Sequence, residues 1–451
     1  MIAIFFLSIA YAALSIIRHV RFESGGFDLG LYDQAVWQYS RFLSPFNTIK
    51  DRFILGDHLT LTLPFLSPLY FLWNDVRILL LFQAFWISLS VVAIYKLSLL
   101  RKFSPFTSFV VAFLYSLFYG IQYAIFFDFH PVVIGVGLAV WFLYFFETKK
   151  KTLAAITLIL MLATQENMGI LLASFGFIYK KPIFIFGGIA ASLLSSKIIT
   201  LFYPFQYWPQ ISTNPIEIAR QFFDNSEKRQ VWLYSLSWFS FLPLLSPGAM
   251  LAMLFDLAQY FVTGPEFSRM WSPFMHHRIT LAPILTLGTL EALSRFRKKN
   301  IQFISIALLV VAVLLQFFFH LPLNKLSKPA FWREEPWMED NRKLIATIPE
   351  NIRLATQQNL VPHVSHRQYI YLVWPRQHDF DDNRCGQRNC WWLDFDKNAE
   401  YLLVDLRPNQ WLTQLLETNE NFTRAVINME NAGTITLERS VGDAKLYRVN
   451  E

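Results

Sequence analysis

The chain has 451 residues, of which 54% are hydrophobic and 16% are charged. Soluble globular domains carry about 25% charged residues, so this composition, with a mean hydropathy of +0.33, excludes an ordinary soluble enzyme and indicates a polytopic membrane protein. The net charge of +7 does not indicate nucleic-acid binding, because the basic residues cluster in short breaks between apolar runs, where such residues act as topology signals.

Apolar runs follow one another through the first 320 residues. Because a helix needs about 20 apolar residues to cross a bilayer, we expect about eleven spans. The predicted spans are 2–20, 77–100, 105–126, 131–147, 152–164, 168–179, 182–203, 232–245, 247–263, 277–294 and 301–320. The runs 152–164 and 168–179 are short, so this pair is expected to be tilted or partly re-entrant.

Basic residues fall on one side of these predicted spans, in the breaks 101–102, 149–151, 180–181 and 295–299. The positive-inside rule makes that side cytoplasmic. The sequence therefore predicts a multi-pass protein of the cell (inner) membrane with its longer polar segments outside. The apolar segment 59–73 is predicted to be a helix lying at the outer interface, because a span there would move every later basic cluster outward.

The composition becomes polar near residue 341, and the predicted domains follow from this change. Residues 1–320 are expected to form a transmembrane domain with an outer first loop at 21–76, residues 321–340 a linker, and residues 341–451 a soluble exocytoplasmic α/β domain. Strands are predicted at 352–356, 368–374 and 401–405 and as a hairpin at 423–439 and 444–449, with helical patterns at 340–348, 358–365 and 408–419. Cys385 and Cys390, the two cysteines, form either a disulfide or two free thiols.

The first outer loop carries two pairs of ionisable residues. Asp28 precedes a helical pattern with apolar residues at Leu31, Ala35 and Tyr39, which also contains Asp33. Asp28 is interpreted as a helix cap, and either Asp28 or Asp33 as a general base toward a bound hydroxyl. Asp57 and His58 follow, as a cap, a metal-ligand pair or an acid/base pair. Each signal alone is weak.

Ionisable residues also occupy the short outer breaks further along the chain. Asp128 and His130 lie in a very short loop, where Asp128 is either a cap or a site residue, and Glu166 lies between two short apolar runs, where charge is costly and usually functional. Lys197, in the outer half of a predicted span, either snorkels or binds phosphate. The cluster of His276, His277 and Arg278 suits a phosphate or pyrophosphate group and equally an anionic lipid surface.

Short motifs in a fixed order resemble those of the prokaryotic membrane proteins called domain of unknown function family 2079 (DUF2079). The motifs are residues 27–30 (FDLG), 56–58 (GDH), 68–70 (PLY), Gln83, 128–131 (DFHP), 165–166 (QE) and 362–363 (PH). The arrangement also resembles GT-C membrane glycosyltransferases, which implies Asp28 as the base and Asp128 as the second-loop acid. The chain departs from that pattern at Leu29, where many relatives have a second acid, and at Glu166, where lysine is frequent.

The resemblance implies a transferase that moves a sugar from a polyprenyl-phosphate donor to an acceptor at the outer face, in the lipid bilayer. It implies catalytic roles for Asp28 and Asp128. Glu166 is a third catalytic candidate because of its position between two apolar runs, and a divalent metal is a candidate cofactor. The expected substrate-binding residues are Asp33, Asp57, His58, His130, Lys197, His276, His277 and Arg278. Two alternatives remain open: a non-catalytic protein that binds or transports lipid-linked glycans, and a membrane-anchored module in which the C-terminal domain binds a partner. Carboxylates in the outer loops favour chemistry, and the lack of evident inverted repeats weakens transport.

Overall fold

The computed structural model describes residues 2–204, 211–378, 390–395, 398–410, 412 and 417–450. These residues are mostly helical and end in a small β-sheet, so the fold class predicted from the sequence is confirmed at this level. The chain divides into two compact units. Unit 1 comprises Met1–Ser15, Leu55–Leu63 and Leu80–Pro329, and unit 2 comprises Ile16–Ile54, Pro64–Leu79 and Ala330–Glu451.

Among the described residues, α-helices occupy most of the predicted apolar runs and several polar segments as well. In chain order they are α1 (Ile2–Val20), α2 (Leu31–Ser40), α3 (Leu69–Leu72), α4 (Arg77–Leu100), α5 (Pro105–Ser116), α6 (Tyr119–Phe126), α7 (Pro131–Glu147), α8 (Lys151–Leu162), α9 (Met168–Tyr179), α10 (Pro182–Phe202), α11 (Pro215–Gln221), α12 (Ser226–Trp238), α13 (Pro247–Phe261), α14 (Leu281–Leu293), α15 (Lys298–Phe318), α16 (Pro329–Trp332), α17 (Pro336–Ile345) and α18 (Asn419–Asn431). Proline at the first turn of many of them has no amide hydrogen to leave unpaired there.

Among the described residues, four helices are long and apolar enough to cross a membrane: α1, α4, α10 and α15. A fifth span is possible if α5 and α6, which are bent by 42°, count as one. Several other predicted spans form shorter helices, including α8 and α9, of 12 residues each. Exposed apolar side chains on α10, such as Ile183 and Phe186 at 72% and 70%, suit contact with lipid.

Unit 2 contains a five-stranded mixed sheet. Its strands stand in the order β4 (Ile370–Leu372), β3 (Leu354–Thr356), β7 (Tyr401–Asp405), β9 (Ala444–Val449) and β8 (Ile435–Val441). β3 is parallel to β4 and β7, whereas β9 is antiparallel to β7 and β8. A separate antiparallel pair is formed by β5 (Trp374–His378) and β6 (Cys390–Asp394), and another by β1 (Phe46–Asn47) and β2 (Arg52–Phe53).

The first outer loop and the C-terminal residues share one hydrophobic core in unit 2. Phe22 and Ile49 of the loop pack with Met338, Leu344 and Leu403. Thr48 adds a polar contact, because its hydroxyl accepts from the Ile370 amide at 2.9 Å and donates to the Ile370 carbonyl at 2.6 Å. Most of the loop is therefore a structural part of the unit that contains the sheet, whereas Leu55–Leu63 belong to unit 1.

The C-terminal hairpin predicted at 423–439 and 444–449 is wrong in its first half. Asn419–Asn431 is the helix α18, and only Ile435–Val441 is a strand. Burial of one face explains the helix: its buried residues are Phe422, Ala425, Val426 and Met429, at the spacing of one helix face. This packing outweighs the preference of the β-branched residues in the segment for a strand. The predicted helix at 358–365 is reduced to a 3-10 turn at Val361–His363, and the interfacial segment 59–73 is divided into Leu63–Leu66 and α3.

Candidate functional site

In unit 1, His58 and Glu166 form a close pair although they are 108 residues apart in sequence. His58 Nδ1 lies 2.7 Å from Glu166 Oε1, and the Leu59 amide donates to Oε2 at 3.3 Å. Burial alone would raise the pKa of Glu166, but His58 and these hydrogen bonds outweigh burial and lower it. Because one imidazole nitrogen is fixed by a carboxylate, the ring has a defined orientation, as in sites that transfer protons or bind metals.

The Asp128–His130 turn is fixed by Gln83. The Gln83 side chain donates to the Asp128 carbonyl and accepts from the His130 amide, both at 2.8 Å. Asp128 has a φ of 115°, which is strained for a residue with a Cβ atom, and such strain is frequent at functional sites. The α7 helix begins after His130, so Asp128 is not its N-cap.

Rings from three segments of unit 1 stack beside this turn. The ring centroids of His130 and His276 are 3.6 Å apart, those of His276 and His277 are 3.9 Å apart, and those of His277 and Tyr260 are 5.1 Å apart. Burial, together with the neighbouring His130 and His277, holds the pKa of His276 well below its usual range. The sequence predicted His130, His276 and His277 as separate site residues, and the fold brings them together.

Arg278 is buried at the end of this stack, with 1% of its surface exposed. Its guanidinium donates to the backbone carbonyls of Met270 and Ser272 and lies 5.3 Å from the ring of Tyr260. Among the described residues, Arg278 Nη1 has no hydrogen-bond partner, and neither has Nδ1 of His276 or of His277. Lys197, by contrast, is exposed on α10.

Gly120 explains why the His276–Arg278 segment can lie so deep in the unit. A Cβ atom on Gly120, in α6, would be only 2.4 Å from the Arg278 carbonyl oxygen. The absence of a side chain there lets the two backbones approach.

In unit 2, Asp33 is fully buried and is held by residues from two distant segments. Its carboxylate accepts hydrogen bonds from the hydroxyls of Tyr70 and Ser365, and it lies 3.1 Å from His366 Nε2. Burial alone would lower the pKa of His366, but the Asp33 carboxylate outweighs burial and raises it. Sequence reasoning identified Asp33 and missed its three partners, because nothing in their spacing along the chain joins them.

Asp28 lies in a turn of π-helix, Gly26–Gly30, directly before α2. A Cβ atom on Gly26 or Gly30 would lie 2.9 or 2.6 Å from side-chain atoms of Val361. These glycines therefore allow the turn to pack closely against the C-terminal residues. The N-cap position of α2 is Gly30, and Asp28 does not occupy it. Asp28 is partly exposed, in contrast to Asp33.

The described residues contain no group of three or more His, Cys, Asp or Glu side chains arranged to hold a metal ion. Asp57 lies next to its sequence neighbour His58, with Oδ2 and Nε2 separated by 3.9 Å. Cys390 begins β6, and Cys385 lies outside the described residues.

Two crystal structures of the GT-C glycosyltransferase ArnT from Cupriavidus metallidurans have a similar fold. The apo structure gives a TM-score of 0.52 at 11% sequence identity, and the structure bound to undecaprenyl phosphate gives 0.51 at 9%. Each alignment covers 99% of this chain and 97% of ArnT. The arabinofuranosyltransferase AftD from Mycobacteria gives 0.49 at 12%, with 99% of this chain and 40% of AftD covered.

No curated protein sequence is significantly similar to the chain. The family described as "Predicted membrane protein (DUF2079)" matches residues 18–425, which confirms the resemblance inferred from the short motifs. The chain belongs to this family of predicted membrane proteins.

Proposed function

We propose that this protein is a membrane glycosyltransferase that takes a sugar from a polyprenyl-phosphate carrier and transfers it to an acceptor at the outer membrane face. The fold shared with ArnT supports the general class, and ArnT has been crystallised with undecaprenyl phosphate. The observation that carries the proposal for this chain is the buried cluster of His276, His277 and Arg278 with its unpartnered nitrogens.

A buried arginine requires a compensating anion, since an uncompensated charge in a protein interior costs several kcal/mol. Among the described residues, no carboxylate lies within ion-pair distance of Arg278, and its hydrogen bonds go to backbone carbonyls. Asp256 and Glu227 attract it only electrostatically, without a direct contact. A phosphate would compensate the charge and accept hydrogen bonds from nitrogens that lack partners. The cluster therefore suits the phosphate of a lipid-linked donor.

In the proposed reaction, Asp28 accepts the proton of an acceptor hydroxyl as its oxygen attacks the anomeric carbon of the donor sugar. The bond from that carbon to the phosphate oxygen breaks, the polyprenyl phosphate leaves with the bonding electrons, and the configuration inverts. Independently of that base, we assign to Arg278, in unit 1, the stabilisation of negative charge on the phosphate of the lipid carrier. We assign the orientation of groups near that phosphate to Asp128, His130 and the His58–Glu166 pair.

The proposal includes the topology predicted from the sequence. About eleven spans would place the basic breaks on the cytoplasmic side and the C-terminal residues outside. The outer breaks would then carry Glu166, Asp128 and the His276–Arg278 segment, as the use of a lipid-linked donor at the outer face requires.

The test is turnover of polyprenyl-phosphate sugars by the purified protein in lipid nanodiscs, with Asp28→Asn as the variant. We expect the variant to lose at least about 100-fold in turnover, because general base catalysis contributes about 10²- to 10⁴-fold. Asp51→Asn is the matched control, since Asp51 is an exposed residue of the same loop. Equal turnover by Asp28→Asn and the native protein would reject Asp28 as the base, and donor binding without any turnover would favour a glycan-binding or transport protein.

A further inference from the structure

A cavity of about 520 Å³ in unit 2 is lined by none of the residues to which the proposed reaction assigns roles. Its volume lies within the range of about 300–1,000 Å³ that is typical of small-molecule sites. Polar side chains dominate its lining: His19, Asn74, Asp75, Arg77, Glu334, Arg342, His363, Ser365 and His366.

Each cation around this cavity has its own carboxylate. Arg77 binds Asp75 through two hydrogen bonds, of 2.7 Å from Nε and 2.6 Å from Nη2. Arg342 Nη2 lies 2.6 Å from Glu334 and 3.2 Å from Glu339, and the charge of Glu339 is matched by Lys343 at 3.9 Å. His366 is paired with Asp33, described above, so three ion pairs surround the cavity and their charges balance.

This balance determines which ligands fit. A strongly charged ligand would have to displace the like-charged member of an ion pair from its partner. The displaced group would then be left without a counter-charge, which is costly. A neutral molecule with many hydroxyl groups meets no such competition, because hydroxyls both donate and accept. Arg77 uses Nε and Nη2 for Asp75, so its Nη1 donors are not used in that pair.

A stack of three rings forms another wall of the cavity. His363 lies between His19, at a centroid distance of 4.2 Å, and Phe22, at 4.0 Å. Both faces of the His363 ring are therefore covered, and only its edge can meet a ligand. Nε2 of His363 is buried without a hydrogen-bond partner among the described residues, and so is Nδ1 of His19.

These buried nitrogens offer hydrogen bonds to a molecule in the cavity, and leaving such an atom unsatisfied costs about 1–3 kcal/mol. We propose that this cavity binds a saccharide, whose hydroxyls would bond to the edge of His363 and to the paired Arg77 and Arg342. The inference rests on the proposed function only for the source of the sugar, which is either the donor glycosyl group or the acceptor.

The experiment is saturation-transfer NMR on the full-length protein in nanodiscs, with methyl glycosides of glucose, galactose, mannose and arabinose as probes. We expect saturable binding of at least one glycoside, weakened roughly tenfold by His363→Phe, which keeps the ring stack and removes the nitrogen, and by Arg342→Gln. The matched control is Arg376→Gln, because Arg376 is exposed in the same unit, forms a comparable ion pair with Asp394 at 3.2 Å and does not line this cavity.

Three outcomes would overturn the inference: no glycoside binds, the two cavity variants bind as well as the control, or inorganic phosphate displaces the glycoside at equimolar concentration. Weaker binding of a polyprenyl-phosphate sugar by Arg342→Gln would identify the sugar as the donor group, and unchanged donor binding would identify it as the acceptor. Glycoside binding that depends on His363 in a protein without transferase activity would reject the proposed function and retain this site.

Discussion

Asp28 and Asp33 lie five positions apart and have different surroundings. Asp33 has no exposed surface, and its carboxylate is occupied by Tyr70, Ser365 and His366. Asp28 is partly exposed on a glycine-flanked turn. At this scale, the difference favours a structural role for Asp33 and keeps Asp28 as the candidate base.

The Asp33–His366 pair predicts a pH dependence of stability. Because the pKa of His366 is raised in the folded protein, its contribution to stability is fully present below the ordinary histidine pKa of about 6.5 and is lost as pH rises through the raised value. We therefore expect the difference in Tm between the native protein and His366→Gln to be larger near pH 5.5 than near pH 9.

Thermal unfolding of the purified proteins at several pH values would measure this difference. His320→Gln is the control, since His320 is an exposed histidine. A Tm difference for His366→Gln that stays constant across the range would show that the ion pair does not contribute.

Many ionisable residues of the clusters in units 1 and 2 could be identified from the sequence, because a charged residue among apolar ones is conspicuous. A charge between two apolar runs is costly, so Glu166 stands out without a structure. Arg278 stands out because it belongs to the basic cluster 276–278. The contacts could not be predicted in the same way. His58 and Glu166 are joined only by the fold, and Gln83, a neutral residue, gives no sign that its amide fixes the Asp128–His130 turn.

At the scale of elements, the π-helical turn Gly26–Gly30 packs against the 3-10 turn Val361–His363. The Gly26 amide also donates to the Gln358 carbonyl at 2.9 Å. Periodicity predicted α2 from Leu31 onward but could not show that the preceding glycines are contact residues. Similarly, part of the helix α18 was predicted to be a strand. The apolar residues of a short amphipathic segment fit the periodicity of a helix and that of a strand, and the sequence alone does not show which one packs against the rest of the protein.

Gly30→Ala tests how closely this turn packs against Val361. The new methyl group would meet Val361 Cγ1 at 2.6 Å, and overpacking of this kind costs about 1–3 kcal/mol. We expect a lower Tm, with partial recovery in the double variant Gly30→Ala/Val361→Ala, which removes the clashing atom.

Gly187→Ala is the matched control for this prediction. Gly187 is in the helix α10, and a Cβ atom there would have no neighbour within 4 Å, so the substitution should leave stability unchanged or raise it slightly. Equal effects of the two substitutions, or no recovery in the double variant, would contradict the packing described for Gly30.

For the whole molecule, the sequence predicted a helical membrane protein with a C-terminal α/β region, and the fold class and the family are confirmed. The domain boundary at residue 341 remains a prediction. Unit 2 combines that region with residues 16–54 and 64–79. These segments lie about 300 residues apart in sequence, and hydropathy cannot detect their contact because it depends only on local composition.

We propose that the buried cluster of Arg278 with His276 and His277 holds the phosphate of a lipid carrier. Undecaprenyl phosphate should therefore bind the purified protein saturably in nanodiscs, and Arg278→Gln should weaken binding on the order of 100-fold, since removing one partner of a buried charge pair costs about 2–5 kcal/mol. Arg278→Lys, which keeps the charge and loses the planar fork, should give an intermediate value.

Native mass spectrometry of lipid titrations would measure this binding, with Arg295→Gln as control because Arg295 is half-exposed and pairs with Glu291 at 2.9 Å. A native-like Tm would establish that each variant is folded. The account predicts that Arg278→Gln loses binding while Arg295→Gln keeps it. Equal binding by the folded Arg278→Gln variant and the native protein would contradict it.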